Sequence, residues 1–277
     1  MFYHESESSV TSFVSSTLFE LAETPDKKTT NSEAEDGQER ALPPPPWQRV
    51  PERSSRRRRD PLTREAIVAT ALRVLDRDGL DGFSMRRVAE ELDTGAASLY
   101  WHVGSKDGLL DLVLEEVIGE QVSEVPDPDP ERWQEQFKQV ARVMRQTIRR
   151  HRDIVEISIG RIPMGPNALR LSERVLAILR AGGVPDELAV QSYLLIFSVV
   201  NGFTMDEGGY EAEVAAGAPP LEESAEMVGS YLSSLPGDEF LNLTEVADHF
   251  ANPDQEARFE LLLDLFVEGL TRRAEAG

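Results

Sequence analysis

From residue 61 onward the chain places apolar residues at helical intervals and breaks them at recognisable stops. Ala66, Ile67, Ala69, Thr70, Leu72, Val74 and Leu75 recur at helical spacing, and Asp78-Gly79 supplies the glycine that commonly ends a helix. Ser84 has N-cap chemistry for a short second helix with Val88, Ala89 and Leu92 turned inward. Asp93-Thr94-Gly95 reads as a tight turn, Ala96–His102 as a third helix, and Ser105 opens a longer fourth through Ile118 to Gln121. After the break Pro126-Asp127-Pro128-Asp129-Pro130, helices are predicted over Glu131–Arg150, Asp153–Gly160, Asn167–Ala181 and Pro185–Met205. Gly208 to Pro220 reads as a loop. Leu221–Leu235, Leu243–Phe250 and Pro253–Arg273 complete the set. No strand-like alternation of useful length occurs, so the expected fold class is all-α.

Residues 1–60 differ. Ser, Thr, Glu and Asp dominate, and Pro43–Pro46 cannot be helical. Such a segment buries too little apolar surface to offset its ordering entropy, so a disordered extension is expected. Three regions follow: 1–60, an extension carrying the basic arm Arg56–Arg59; 61–122, a compact helical unit with its connecting helix; and 123–277, a larger helical domain.

Composition narrows the chemistry. The 277 residues include no cysteine, which excludes disulfides, thiolate metal sites and a cysteine nucleophile. No apolar run of membrane-spanning length and no secretory leader is read, so a cytoplasmic location is expected. The four histidines are scattered, with no triad order, phosphate-binding glycine loop or metal spacing, so an enzyme is not expected. The net charge of −21 argues against generic polyanion binding. Its distribution matters more. Residues 1–60 carry 9 basic and 11 acidic groups, 61–122 carry 6 and 12, and 123–277 carry 14 and 27. Four of the basic groups stand together in the arm, where they can enter a narrow minor groove or simply remain solvated.

Two short helices joined by a tight glycine turn form a helix-turn-helix, whose second helix enters the major groove. Leu99 and Val103 are the core residues of that helix, which turns Tyr100 and His102 outward; Trp101 suits either side. On spacing alone, the aromatic pair equally suits DNA contact or an apolar plug between helices.

The residues Ser84-Met85-Arg86-Arg87-Val88-Ala89-Glu90-Glu91-Leu92, then Ser98-Leu99-Tyr100-Trp101-His102-Val103 and Lys106, resemble the TetR family of transcriptional regulators. The likeness extends over about residues 62–273, with a C-terminal region similar to that of tetracycline repressors. By this resemblance Arg86, Ala96, Ala97, Ser98, Tyr100, Trp101, His102 and Lys106 fall on DNA-contacting positions. Ala96 and Ala97 replace bulkier residues; alanine meets a thymine methyl but cannot read guanine.

The resemblance also implies a helical effector domain that dimerises and holds a small molecule between helices. Tyr193, Leu194, Ile196, Phe197 and Val200 on one helix, and Phe259, Leu262, Leu263, Phe266, Val267 and Leu270 on the other, are the expected four-helix seam. A two-fold homodimer fits a palindromic double-stranded DNA operator with half-sites ~34–36 Å apart. Candidate ligand residues are Trp133, Phe137, Val140, Met144, Phe197, Asn201 and Met205, with Ile154 and Met164 beside them; an ordinary core uses the same types. Ser158 occupies the family's metal-histidine position, and Asp206-Glu207 without that histidine is a poor transition-metal site. The expected effector is therefore small and apolar, bound without metal or cofactor. The implied function is a ligand-responsive repressor; the alternative is an interaction or ligand-sequestering protein with a degenerate reading head.

Overall fold

The computed structural model describes residues 62–251 and 254–276, all in helices and their connections. The extension and its arginine arm lie outside the described residues.

Helix α1 (Arg64–Gly82) opens at Thr63, whose hydroxyl accepts the Ala66 N–H at 3.1 Å. It unwinds at Gly79, where φ is +71°. An L side chain there would also strike the Asp153 carboxylate at 2.8 Å, so both conformation and space demand glycine. Helices α2 (Met85–Glu91) and α3 (Ala96–Val103) follow, α2 capped by Ser84 through the Arg87 N–H at 3.3 Å. Between them Asp93 takes a left-handed conformation and the Thr94 N–H closes on the Ala89 carbonyl at 2.9 Å. Ile67, Val74, Leu75, Val88, Leu99 and Val103 bury their side chains in this three-helix head.

Helix α4 (Lys106–Glu124) leaves the head and packs most extensively on α7 (Pro166–Ala181). The Glu115 carboxylate accepts the N–H groups of Asn167 and Ala168, the orphan donors of the α7 N-terminus, and Asn167 donates back to the Glu115 carbonyl at 3.2 Å. Burial nonetheless pushes the Glu115 carboxyl upward. The proline break after α4 is tied down by buried Gln136, which accepts the Asp129 N–H at 2.9 Å and donates to the Asp127 carbonyl at 2.6 Å.

Helix α5 (Trp133–Arg150) lies at the centre, touching α7, α8 (Asp186–Ala215) and α12 (Gln255–Ala276), while α6 (Ile154–Ser158) is a single short turn. Helices α9 (Leu221–Ser233), α10 (Leu241–Glu245) and α11 (Ala247–Phe250) pack chiefly on one another.

Two expectations need correction. The predicted loop from Gly208 is helical as far as Ala215. Tandem glycines weaken a helix without forbidding it, and Glu207 and Glu211 are anchored to α5 by Arg145 and Arg149. The true stop is Gly217, at φ +100°. By length and composition α8 is also apolar enough to cross a bilayer, with a mean hydropathy of 1.5 that its apolar residues sustain despite Ser192, Ser198 and Gly202; the core helix of a soluble protein passes the same test.

Candidate functional site

The head presents α3 with its two sides cleanly separated. Leu99 and Val103 are buried, while Tyr100 and Trp101 stand 48% and 47% exposed. Trp101 is thus outward, its indole edge-on to His102 at 4.9 Å. His102 and Ala96 are half-buried, and Ala97 and Ser98 are exposed beyond the turn. Lys106 reaches back: its ammonium donates to the Phe83 carbonyl at 3.1 Å and lies over the Phe83 ring. That bond fixes one cation beside the start of α4.

Three acidic groups of the head are paired with arginines. Arg86 holds Glu90 at 2.7 Å, Arg77 holds Glu91 at 3.0 Å, and Arg87 holds Asp78 at 2.7 Å. The Arg77 and Arg87 guanidiniums keep the Asp78 carboxyl well below the usual carboxylate range. The Arg86 pair is fully solvent-facing and weak, so a phosphate can compete for it.

In the C-terminal region, Trp133, Phe137, Val140 and Met144 line one buried face of α5. Phe137 packs on Phe266, ring centres 6.0 Å apart, and the Trp133 indole fills the space a side chain at Gly182 would need. Ile154 is buried; Phe197, Asn201 and Met164 are half-buried. Met205 is not gathered with them. It is 49% exposed and borders a cleft of about 820 Å³ between the end of α5 and the second half of α8, with Ile154, His151 and Thr204. A groove of about 570 Å³ between α4 and α7 is lined by Val122, Leu169 and Arg174.

Most residues of the expected dimer seam are covered by this chain itself. Ile196, Val200, Phe259, Leu263, Val267 and Leu270 are buried within this chain, and Tyr193, Phe197, Leu262 and Phe266 pack against that core. Of that set only Leu194 stands exposed, with Val190 and Leu195 beside it on α8 and Leu261 and Leu265 on α12. The exposed apolar side chains of these two helices are thus mostly other residues than the expected set.

One cluster escaped the sequence reading. Arg145, 7% exposed, grips Glu207 through two bonds of 2.7 and 2.9 Å and Glu256 through a third of 2.7 Å, while stacking 4.5 Å from the Phe259 ring. The Glu207 contact raises the arginine further into its charged range. Glu207, half of the acidic pair considered for metal, is therefore committed to an arginine. Ser158 donates to the Val155 carbonyl at 2.7 Å. No three His, Asp or Glu side chains converge to hold an ion among the described residues.

The N-terminal model for bacterial regulatory proteins of the TetR family matches residues 67–113, and the tetracyclin repressor-like C-terminal domain matches residues 125–274. The chain belongs to the TetR family. It is 33% identical over 201 residues to the HTH-type transcriptional repressor DrrR1 of Streptomyces coeruleorubidus, covering 68% of this chain and 74% of that one. The apo crystal structure of ActR from Streptomyces coelicolor is similar with a TM-score of 0.71 and 42% identity, covering 79% of this chain and all of that one. The structure of ActR with actinorhodin gives 0.70 and 43%, covering 77% and 97%. As in any TetR-family chain, an N-terminal helix-turn-helix precedes a helical C-terminal region; here α4 joins the two and Arg145 braces the second.

Proposed function

We propose that this TetR-family chain is a repressor that binds a palindromic operator as a homodimer and is released by a small, largely apolar effector. In this reading residues 61–122 form the DNA-reading domain and 123–277 the effector and dimerisation domain, working in the cytoplasm. The observation that carries it is the outward pair Tyr100 and Trp101 on a helix whose other side is anchored by Leu99 and Val103. A plug between helices buries its aromatics; these are half in solvent, beside exposed Ala97, Ser98 and Lys106. Arg86, Ser98, Tyr100, Trp101, His102 and Lys106 supply phosphate and base-edge contacts, and Ala96 and Ala97 allow close approach.

Homodimerisation is supported by Val190, Leu194, Leu195, Leu261 and Leu265, five large apolar side chains left exposed on two adjacent helices. An effector between α5 and α8 is supported by the buried face from Trp133 to Met144, the half-buried Phe197 and Asn201 on α8, and Met205 at a cleft mouth. The actinorhodin complex of ActR supports a small-molecule effector here.

Random duplexes selected on the purified protein should yield an inverted repeat, bound with an affinity that falls steeply with salt. Trp101→Ala should lose that binding while keeping its unfolding midpoint. No enriched sequence at low salt, or undiminished binding by Trp101→Ala, refutes the reading.

A further inference from the structure

His151 joins the head to the rest of the chain through both ring nitrogens. It caps the C-terminal end of α5 and is only 11% exposed. Its Nδ1 lies 3.2 and 3.3 Å from the two oxygens of Asp76 on α1, and its Nε2 lies 3.1 Å from Glu120 on α4. An ionised carboxylate only accepts hydrogen bonds, and a neutral imidazole carries a single N–H. Neutral His151 therefore satisfies one carboxylate and turns a lone pair on the other. The imidazolium satisfies both.

The surroundings do not supply that proton's charge by other means. On the ring are Asp76 from α1 and Glu120 from α4; linked to these or next in the chain are Glu124 of α4, Arg150 at the end of α5, and Arg152 and Asp153 in the following loop. Arg150 is shared between Glu120 and Glu124, at 3.4 and 3.0 Å, so four carboxylates meet two guanidiniums. Across the cleft Glu207 and Glu211 are held by Arg145 and Arg149, and Glu156 lines the same cleft. The two carboxylates on the ring sit at opposite nitrogens, so they cannot chelate one cation in its place.

The same loop clasps the head by its backbone. The Leu80 N–H donates to the Asp153 carboxylate at 2.6 Å, and the Arg152 N–H donates to Asp76 at 3.2 Å. Asp153 holds a left-handed conformation, φ +57°, to do this.

We propose that His151 is a proton-operated latch between the DNA-reading head and the effector region, so that acidification from pH 8 to pH 6 fixes the head and tightens operator binding. The inference rests on the operator-binding reading above. Histidine is the side chain whose charge changes in that range. A head held in one orientation loses less freedom when it docks, which is the source of the gain.

The test compares operator affinity of the full chain and His151→Gln at pH 6 and 8, at fixed salt, using the selected duplex. His102, near the DNA, contributes equally to both proteins and cancels in the comparison. The wild type should gain about fivefold or more over His151→Gln on acidification. Glu120→Gln, which keeps the histidine, should lose most of that gain. Equal pH profiles in wild type and His151→Gln overturn the latch and leave the operator reading intact, as does a gain in the alkaline direction. If no variant binds DNA, the operator reading fails, and the latch is judged on free protein. There, hydrogen exchange of the Leu80 amide, corrected for intrinsic pH dependence, should slow at pH 6 in wild type and not in His151→Gln. No difference overturns it.

Discussion

Glu207→Gln is the substitution whose consequence the structure fixes most tightly. Glu207 and Arg145 are each 7% exposed, and their two bonds carry a buried charge from α5 to α8. Glutamine keeps the shape and one accepting oxygen but removes the buried countercharge, so the only carboxylate left on the guanidinium is Glu256, itself 68% exposed, beside the faces of Phe259 and Phe203. Breaking a buried pair from one side costs about 3–5 kcal/mol, because the remaining charge is left uncompensated. Glu256 stays paired and the glutamine carbonyl can still accept one of the two bonds, so the lower end applies, about 3 kcal/mol. For a chain of this size that lowers the melting temperature by roughly 6–12 °C. Removing both charges in Arg145→Met with Glu207→Leu should restore most of the loss, since a packed apolar pair replaces an ion pair at little net cost. Urea unfolding of the three proteins decides the matter. A Glu207→Gln cost under about 1 kcal/mol, or a double variant as unstable as the single one, refutes the reasoning.

Other expectations follow from single contacts. Gly79→Ala should destabilise by about 2 kcal/mol in urea unfolding, from the left-handed penalty and the collision with Asp153 and Arg152. Arg142 holds Glu260 through two bonds of 2.7 Å and keeps its carboxyl below the ordinary range. A depressed carboxyl stabilises above its unfolded value, about 4.3, and that contribution is lost as pH falls through the folded one. Glu260→Gln should therefore be less stable than wild type at pH 7 and converge with it in strong acid, measured by urea midpoints. Leu265→Glu, on the exposed apolar side of α12, should shift sedimentation at micromolar concentration from dimer to monomer without lowering helix content.

Local chemistry made the head legible in the sequence. Ser84 and Ser105 act as caps because a hydroxyl three residues ahead of an orphan N–H needs nothing distant. Leu99 and Val103 fix which side of α3 is buried, and the outward Trp101 follows once both are seated. What stayed hidden depends on residues far apart in the chain. Gly208-Gly209 signalled a stop that Arg145, 62 residues away, overrides through Glu207. His151 meets Asp76 and Glu120 across separations of 75 and 31 residues, so no window of sequence shows the juxtaposition. The burial of most expected seam residues within this chain was hidden for a related reason. A helix apolar nearly all round declares that it is buried on several sides but not which side belongs to its own chain.

These distant contacts converge on α4. Its N-terminal end is fixed to the head by the Ser105 cap and by Lys106 on the Phe83 carbonyl. Its middle is fixed to α7 by Glu115 and Asn167, and near its C-terminal end the Val122 carbonyl accepts Arg174 of α7 at 3.4 Å. A helix bonded to backbone groups at both ends transmits displacement instead of absorbing it. Any ligand that moves α7 must therefore tilt the head, unless Asp76, Glu120 and Asp153 hold the head against the end of α5. In the effector-released reading the two sets of contacts would oppose one another, α7 driving the head and the His151 loop restraining it. On that reading, sensitivity to an effector would be set by how firmly that loop is closed. Asn167→Ala should weaken effector-induced release from DNA, whereas His151→Gln should make release easier at the same effector concentration. Opposite signs for these two variants in one anisotropy titration separate a driven head from one that merely loosens.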